Sequence, residues 1–404
     1  MIAENRRTRA HTDWFLIVMV MLIALFGILA VSVATYSTSS ESDVPLLNHI
    51  VNSSFALRQS LFVLVAPIIL SLIMSIPYEM LRRSSKILYY LSNLLLLVVW
   101  VFNRATGVKA WLDTLWGFTI QPSEFAKLSM ILVLARVLSQ SDKPMSTMQD
   151  FVRIMVMMAI PALIIVASGE MGSLLVIVFF FAIMLYFSGV DIRLLLFMAS
   201  VVVLGVLALY GYMVASGSDN YRLIRILAFL NPEAYSSSGS YQQTQSKIAI
   251  GSGGLSGIGM FINGSMSQLN YVPADWTDFV FSTIGEAWGF IGCVSLLAAY
   301  FIIILRMLYL AYYTRDKFGS LIIIGVMAML LFHVFENVGM TIGLLPITGI
   351  PLPFVSYGGS NMVTNMGGVA LVLNVTKNRS LASSIPTPQV RTSIRRFQRG
   401  PLGG

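Results

Sequence analysis

Charge is scarce in this chain. Its 26 Lys+Arg and 18 Asp+Glu make up only 11% of 404 residues, where soluble domains carry about 25%. Cysteine is scarcer: there is one, Cys293, inside an apolar run. That excludes an intrachain disulfide and a cysteine-based metal site. The three histidines form no His-Glu-x-x-His pattern. Hydrophobic residues reach 56% and mean hydropathy is +0.79. These values rule out a disordered chain, a collagen-like fibre and a disulfide scaffold, and they argue against an ordinary soluble enzyme. The expected fold class is an all-α polytopic membrane protein.

A helix needs roughly 20 apolar residues to cross a ~30 Å hydrocarbon core. Apolar runs at 14–36, 55–76, 86–103, 122–138, 154–168, 172–188, 192–213, 279–305, 320–344 and 357–376 predict ten spans. The first run is too long for a signal-peptide core and lacks a clear cleavage site, so it is read as uncleaved. Spans five and six are separated only by Gly169, Glu170 and Met171.

The cations orient the spans. Arg82, Arg83, Lys86, Lys143, Arg153, Arg193, Arg306, Arg315 and Lys317 all fall on the side of the N-terminus, whereas the first outer loop carries Glu41 and Asp43. Both termini are expected in the cytoplasm. Residues 1–376 form a single ten-span domain with a large extracytoplasmic loop, 214–277, between spans seven and eight. Residues 377–404 form a basic, flexible cytoplasmic tail. That tail holds six of the cations and no acid, and it explains the pI near 9.6 without nucleic acid. The long loop has no net charge, is rich in Gly and Ser, and has apolar residues at helical spacing in 223–227 and 247–250. It is expected to be ordered and partly helical at the membrane surface.

The remaining charges gather on the outer face. Gln121-Pro122-Ser123-Glu124-Phe125-Ala126-Lys127 opens span four, with Pro122 suited to a first turn. Glu124 and Lys127 share a helix face at i,i+3. The two readings are a structural ion pair and a lysine held ready for an anionic headgroup. Asp275-Trp276-Thr277-Asp278-Phe279 opens span eight, where Thr277 could cap the helix. Glu286 lies eight residues past Asp278 on roughly the same face. Two carboxylates at a membrane surface suit acid/base work or a metal, though acids are also common at helix starts. In span nine, His333 and Glu336 fit an interhelical polar contact better than a proton relay. The run Pro346 to Ser360, with three prolines in its first eight residues, bars a regular helix and then offers Gly358, Gly359 and Ser360 at a helix start. Irregular backbone at membrane depth must be buried or line a cavity. The outer cations Arg104, Lys109, Lys127, Arg222, Arg225 and Lys247 face the acids Glu124, Glu170 and Asp278. Such a mouth suits a lipid-linked phosphate or pyrophosphate. Residue chemistry alone does not separate an enzyme from a transporter.

Taken together, Gln121–Lys127, Gln245–Leu255, Thr277–Phe279 and Gly349–Ser360 closely resemble the SEDS family (shape, elongation, division and sporulation). The likeness covers nearly the whole chain, and the last motif is highly specific. The Gln245–Leu255 and Asn337–Leu344 runs look more like the rod-shape branch, RodA, than the division branch, FtsW. The resemblance implies a peptidoglycan glycosyltransferase in the bacterial cytoplasmic membrane. It would polymerise lipid II on the outer face beside a class B penicillin-binding protein. The family's essential aspartate maps onto Asp278, and its span-four acid and lysine onto Glu124 and Lys127. Three positions depart from the pattern: Glu170 where the family usually has Asp, Trp276 where it usually has His, and Ser256 where it usually has an aromatic.

On that reading Asp278 is the general base and the leaving pyrophosphate needs cations. Lys127, Lys109, Arg222 and Arg225 are the candidates, assisted by a divalent ion such as Mg or Mn if one is used. Glu124 would orient Lys127. Gln121, Ser356 and Ser360 are candidate substrate contacts, with Glu170 and Glu286 in support. A lipid-precursor flippase, a structural scaffold for a partner synthase, and a division or sporulation member of the family are the alternatives.

Overall fold

The computed structural model describes residues 12–36, 49–51, 53–102, 110–113, 119–215, 225, 227–229 and 240–378. Lys109, Arg222, Glu41, Asp43 and nearly all of the basic tail lie outside the described residues, as do 216–224, 226 and 230–239 of the loop 214–277.

Eleven helices account for most of the described chain: α1 (Trp14–Ala34), α2 (Ser54–Ser75), α3 (Tyr78–Phe102), α4 (Pro122–Leu138), α5 (Met148–Ser168), α6 (Met171–Ser188), α7 (Ile192–Ala215), α8 (Tyr241–Ser252), α9 (Val280–Tyr312), α10 (Lys317–Thr341) and α11 (Gly359–Asn378). Seven of them, α1, α2, α3, α5, α6, α9 and α10, are long and apolar enough to cross a membrane. The only strands among the described residues are a two-residue antiparallel ladder, β1 (Leu112–Asp113) with β2 (Thr119–Ile120), which the sequence reading did not anticipate.

Helix α10 is the centre of the bundle. Its apolar window is 78% buried, against 22% for α2 and α5. Helices α4, α6, α9 and α11 pack around it, and α2, α3 and α5 form an outer layer. Pairs of helices that meet lipid on one side keep large apolar side chains exposed there, such as Leu64, Leu72, Tyr90 and Leu163. In water such a surface would be a liability; in hydrocarbon it costs nothing.

One end of the bundle is tied by charge. Asp13 caps α1 through the N–H of Leu16 and pairs with Arg306 Nη2 at 2.7 Å. Asp316 caps α10 through the N–H of Gly319 and pairs with Arg82 at 2.9 Å. Lys317 donates to the carbonyl of Ser141. Three of the cations assigned above to the cytoplasmic loops, Arg82, Arg306 and Lys317, are thus engaged at this end.

The large loop is ordered where it is described, and it packs into the bundle. Gln243 Nε2 of α8 donates to the carbonyls of Met340 and Leu345, and Ser246 Oγ donates to that of Thr341. Beyond α8 the chain fills a break in α9. Gly289 has φ +66° and ψ −161°, outside the helical region. The freed N–H groups of Phe290 and Ile291 donate to Gly254 and Leu255, while the carbonyls of Glu286 and Ala287 accept from Ile258 and Gly259. A Cβ at Gly289 would stand 2.3 Å from the backbone nitrogen of Gly257, so the break requires glycine. Glu286 completes the junction: it accepts from the N–H groups of Met266 and Ser267 and from Ser267 Oγ at 2.6–3.0 Å.

Candidate active site

Asp278 lies in the turn that precedes α9. The helix begins at Val280 with Phe279 as its cap residue, so Thr277 is not the cap that its position suggested; its hydroxyl donates to Ala274 O. Three successive carbonyls in this turn are each held by a donor from elsewhere in the chain. Trp276 O accepts from the N–H of Tyr357 at 2.9 Å. Thr277 O accepts from Ser356 Oγ at 2.6 Å. Asp278 O accepts from Asn337 Nδ2 at 2.7 Å, and the same amide donates to Ile350 O at 2.8 Å. These ties fix the backbone that carries the carboxylate and leave the carboxylate itself directed at open space.

Two cavities meet at that carboxylate. One, of about 320 Å³, is lined by Glu124, Lys127, Glu170, His333 and Thr348 among others. The second, of about 150 Å³, is lined by Phe62, Thr119, Tyr357, Gly358, Gly359 and Ser360 among others. Asp278, Trp111, Gln121, Gly349 and Pro351 belong to both walls. Gly349 has φ +76°, and a Cβ there would lie 3.3 Å from Asp278 Oδ2. Asp278 is half-buried: it touches solvent through the cavities but is otherwise enclosed. The loss of water raises its pKa to about 6, with the Arg225 guanidinium opposing the shift. Arg225 also donates to Ile347 O at 3.1 Å.

The wall of the larger cavity is a buried polar chain. Lys127 Nζ donates to Glu124 Oε1 at 2.7 Å and lies 2.9 Å from His333 Nε2. An ammonium only donates, so Nε2 accepts and the imidazole proton sits on Nδ1, which faces Met329 O at 2.7 Å. The pair is sealed, with Lys127 1% and Glu124 2% exposed. Glu124 Oε2 is left with no hydrogen-bond partner. Glu170 accepts from Gln121 Nε2 at 2.8 Å, from Ser173 Oγ at 3.0 Å and from Ser123 Oγ. Burial raises its pKa despite these three donors. Its longer side chain therefore has a built seat.

Other expected contacts are structural ties. Ser356 is fully buried; its hydroxyl holds Thr277 O and accepts from the N–H of Leu352. Ser360 does line the smaller cavity, while its hydroxyl accepts from Gln121 N–H. Glu286 does not share a helix face with Asp278, because Asp278 precedes the helix and Glu286 turns to the loop at 266–267. Glu336 accepts from Thr348 Oγ1 and so makes a polar contact between α10 and the loop after it. Trp276 stacks on Phe55 at 5.3 Å, with Tyr357 edge-on to the same ring. Trp111, Asn337 and Gly349 were not singled out as site residues; only their positions in the fold bring them to Asp278. Among the described residues, no three His, Cys, Asp or Glu side chains gather as a metal site.

The family model of the FtsW, RodA and SpoVE cell cycle proteins matches residues 13–381. The chain belongs to this family. It is 31% identical over 364 residues to the peptidoglycan glycosyltransferase MrdB of Escherichia coli K12, covering 90% of this chain and 94% of that one. It is 32% identical to the stage V sporulation protein E of Bacillus subtilis, covering 91% and 98%. Among solved structures, it superposes on a chain reported under the structural coordination of polymerization and crosslinking by a peptidoglycan synthase complex. That match has a TM-score of 0.71 and 27% identity, covering 91% and 98%. The rod shape determining protein RodA of Thermus thermophilus gives a TM-score of 0.65 at 27% identity, covering 91% and 97%. Membership makes this a multi-pass membrane protein.

Proposed function

We propose that this chain is a peptidoglycan glycosyltransferase that polymerises lipid II on the outer face of the bacterial cytoplasmic membrane. The observation that carries the reading is the position of Asp278 in the wall common to two adjoining cavities. A polymerase must hold two substrates at once, with one base between them. Asp278, as carboxylate, takes the proton of the acceptor sugar hydroxyl as that oxygen bonds to the donor's anomeric carbon. The bond from that carbon to the pyrophosphate oxygen breaks, and the lipid pyrophosphate leaves with the electron pair. Arg225, Lys127, and the Lys109 and Arg222 outside the described residues supply the countercharge. Glu124 holds Lys127. Gln121 and Ser360 line the substrate space, and Ser356, Glu170 and Glu286 keep its walls in place.

Ten crossings suit this reading: the seven long apolar helices together with α4, α7 and α11, with both termini on the basic side. The Gln245–Leu255 and Asn337–Leu344 runs favour the rod-shape branch, although relatives named MrdB, stage V sporulation protein E and FtsW match at 31–32% identity. A class B penicillin-binding protein is the proposed partner. A flippase would call for paired broken helices; among the described helices one, α9, holds a non-helical residue. The test is strand formation from labelled lipid II by the purified chain, with and without the partner. Glycan strands are expected; lipid II consumed by neither preparation rejects the proposal.

A further inference from the structure

At the basic end of the bundle lies a third cavity, of about 690 Å³, between α3, α4 and α5. It shares no lining residue with the two cavities at Asp278. Its lower wall is apolar, with Val133, Val156 and Ile160 on it, and its rim carries Lys86 of α3 and Arg153 of α5. Of the other cations at this end, Arg82 and Arg306 are in ion pairs, Arg136 and Lys317 donate to carbonyls, and Arg83, Lys143, Arg193 and Arg315 do not line the cavity. Lys86 and Arg153 are exposed and make no hydrogen bond or ion pair among the described residues. One turn further in, Tyr89 Oη donates to Met157 O at 2.7 Å and joins α3 to α5.

We propose that this cavity binds one anionic phospholipid of the inner leaflet, its phosphate between Lys86 and Arg153 and one acyl chain against the apolar wall. The dimensions fit. Ile160 is seven residues from Arg153, about 10 Å deeper along the helix, within the roughly 15 Å depth of one leaflet. Val156 and Ile160 are about half exposed, which suits contact with an acyl chain. The charge also selects the occupant. The chain's own tail from Lys377 onward carries cations and no acid, so it is repelled by this rim. A purely apolar partner helix would leave both cations desolvated and unpaired, at a cost.

The test is native mass spectrometry of the full-length protein titrated with dioleoyl-phosphatidylglycerol, dioleoyl-phosphatidylcholine or glycerol phosphate. A single retained phosphatidylglycerol is expected, with weaker retention of the other two. Each cation near the phosphate contributes about fivefold, so the K86Q/R153Q double variant should bind roughly 25-fold more weakly. Ile160→Trp leaves both cations and fills the cavity; it should lose the same lipid, and it decides the matter if the double variant does not fold. Arg193→Gln, a loop cation away from the cavity, should bind as the parent does. Phosphatidylglycerol retained equally by K86Q/R153Q and Ile160→Trp overturns the proposal. So does equal retention of phosphatidylcholine, binding of glycerol phosphate alone, or a co-purifying protein segment in the cavity.

Discussion

Asn337 holds the backbone of Asp278: its Nδ2 donates to the Asp278 carbonyl at 2.7 Å and to Ile350 O at 2.8 Å. One buried amide on the central helix therefore sets both the acid and the loop that faces it. Asn337→Leu removes both donors and leaves two carbonyls unsatisfied, worth about 1–3 kcal/mol each. The expected result is a protein that reaches the membrane with a lowered unfolding temperature and polymerisation slowed at least ~10-fold. Its acid-limb midpoint should stay near that of the parent, because the carboxylate's own surroundings are kept.

The pH dependence of the reaction follows from burial of Asp278. Its pKa is raised to about 6, and a general base works only when deprotonated. Activity should rise through pH 6 and level off above it. Arg225 opposes the shift, so Arg225→Gln should move the acid limb to higher pH. A limb that moves down, or does not move, contradicts the arrangement.

Stability should run the other way because of a second acid in the same turn. Asp275 is fully buried, neither of its carboxylate oxygens has a well-formed hydrogen bond, and its pKa is raised to about 8 from 3.8. The folded protein holds a proton that the unfolded chain releases, so raising the pH from about 4 to about 8 favours unfolding. Asp275→Asn should flatten that slope in thermal unfolding at a series of pH values.

Lys127 and Glu124 form a sealed pair. Lys127→Met strands a buried carboxylate and should cost about 3–5 kcal/mol. The K127M/E124Q double variant should recover much of the folding and none of the activity, as read by unfolding temperature and strand synthesis.

Gly349 permits the close approach of the loop to Asp278. Gly349→Ala forces a side chain into φ +76° with its Cβ 3.3 Å from Asp278 Oδ2. A penalty of about 1–3 kcal/mol is expected, together with a loss of polymerisation larger than the loss of yield.

What the sequence revealed depended on how local the cause was. Helix α4 was predicted at its observed bounds, because Pro122 marks its start and the polar run Ser139-Gln140-Ser141-Asp142 marks its end. Helices α3 and α5 start several residues earlier than expected, since Glu79, Arg82 and Arg83 in one, and Gln149 and Asp150 in the other, read as loop. Asp278 and the Glu124–Lys127 pair were legible as charges where charge is costly. The donors that hold Asp278 were not: Asn337, Ser356 and Tyr357 come from 59 to 79 residues further along the chain. Gly289 sits in a continuous apolar run that gives no sign of a break. Glu286 was expected to assist chemistry, but what its position could not show was the loop folding back to meet it.

The most direct measurement is strand synthesis by purified Asp278→Asn protein supplied with lipid II and the partner synthase. The substitution keeps size and removes the base, so folding and membrane insertion should match the parent while polymer formation is abolished. Glycan strands made at the parental rate by Asp278→Asn would contradict the role assigned to this residue.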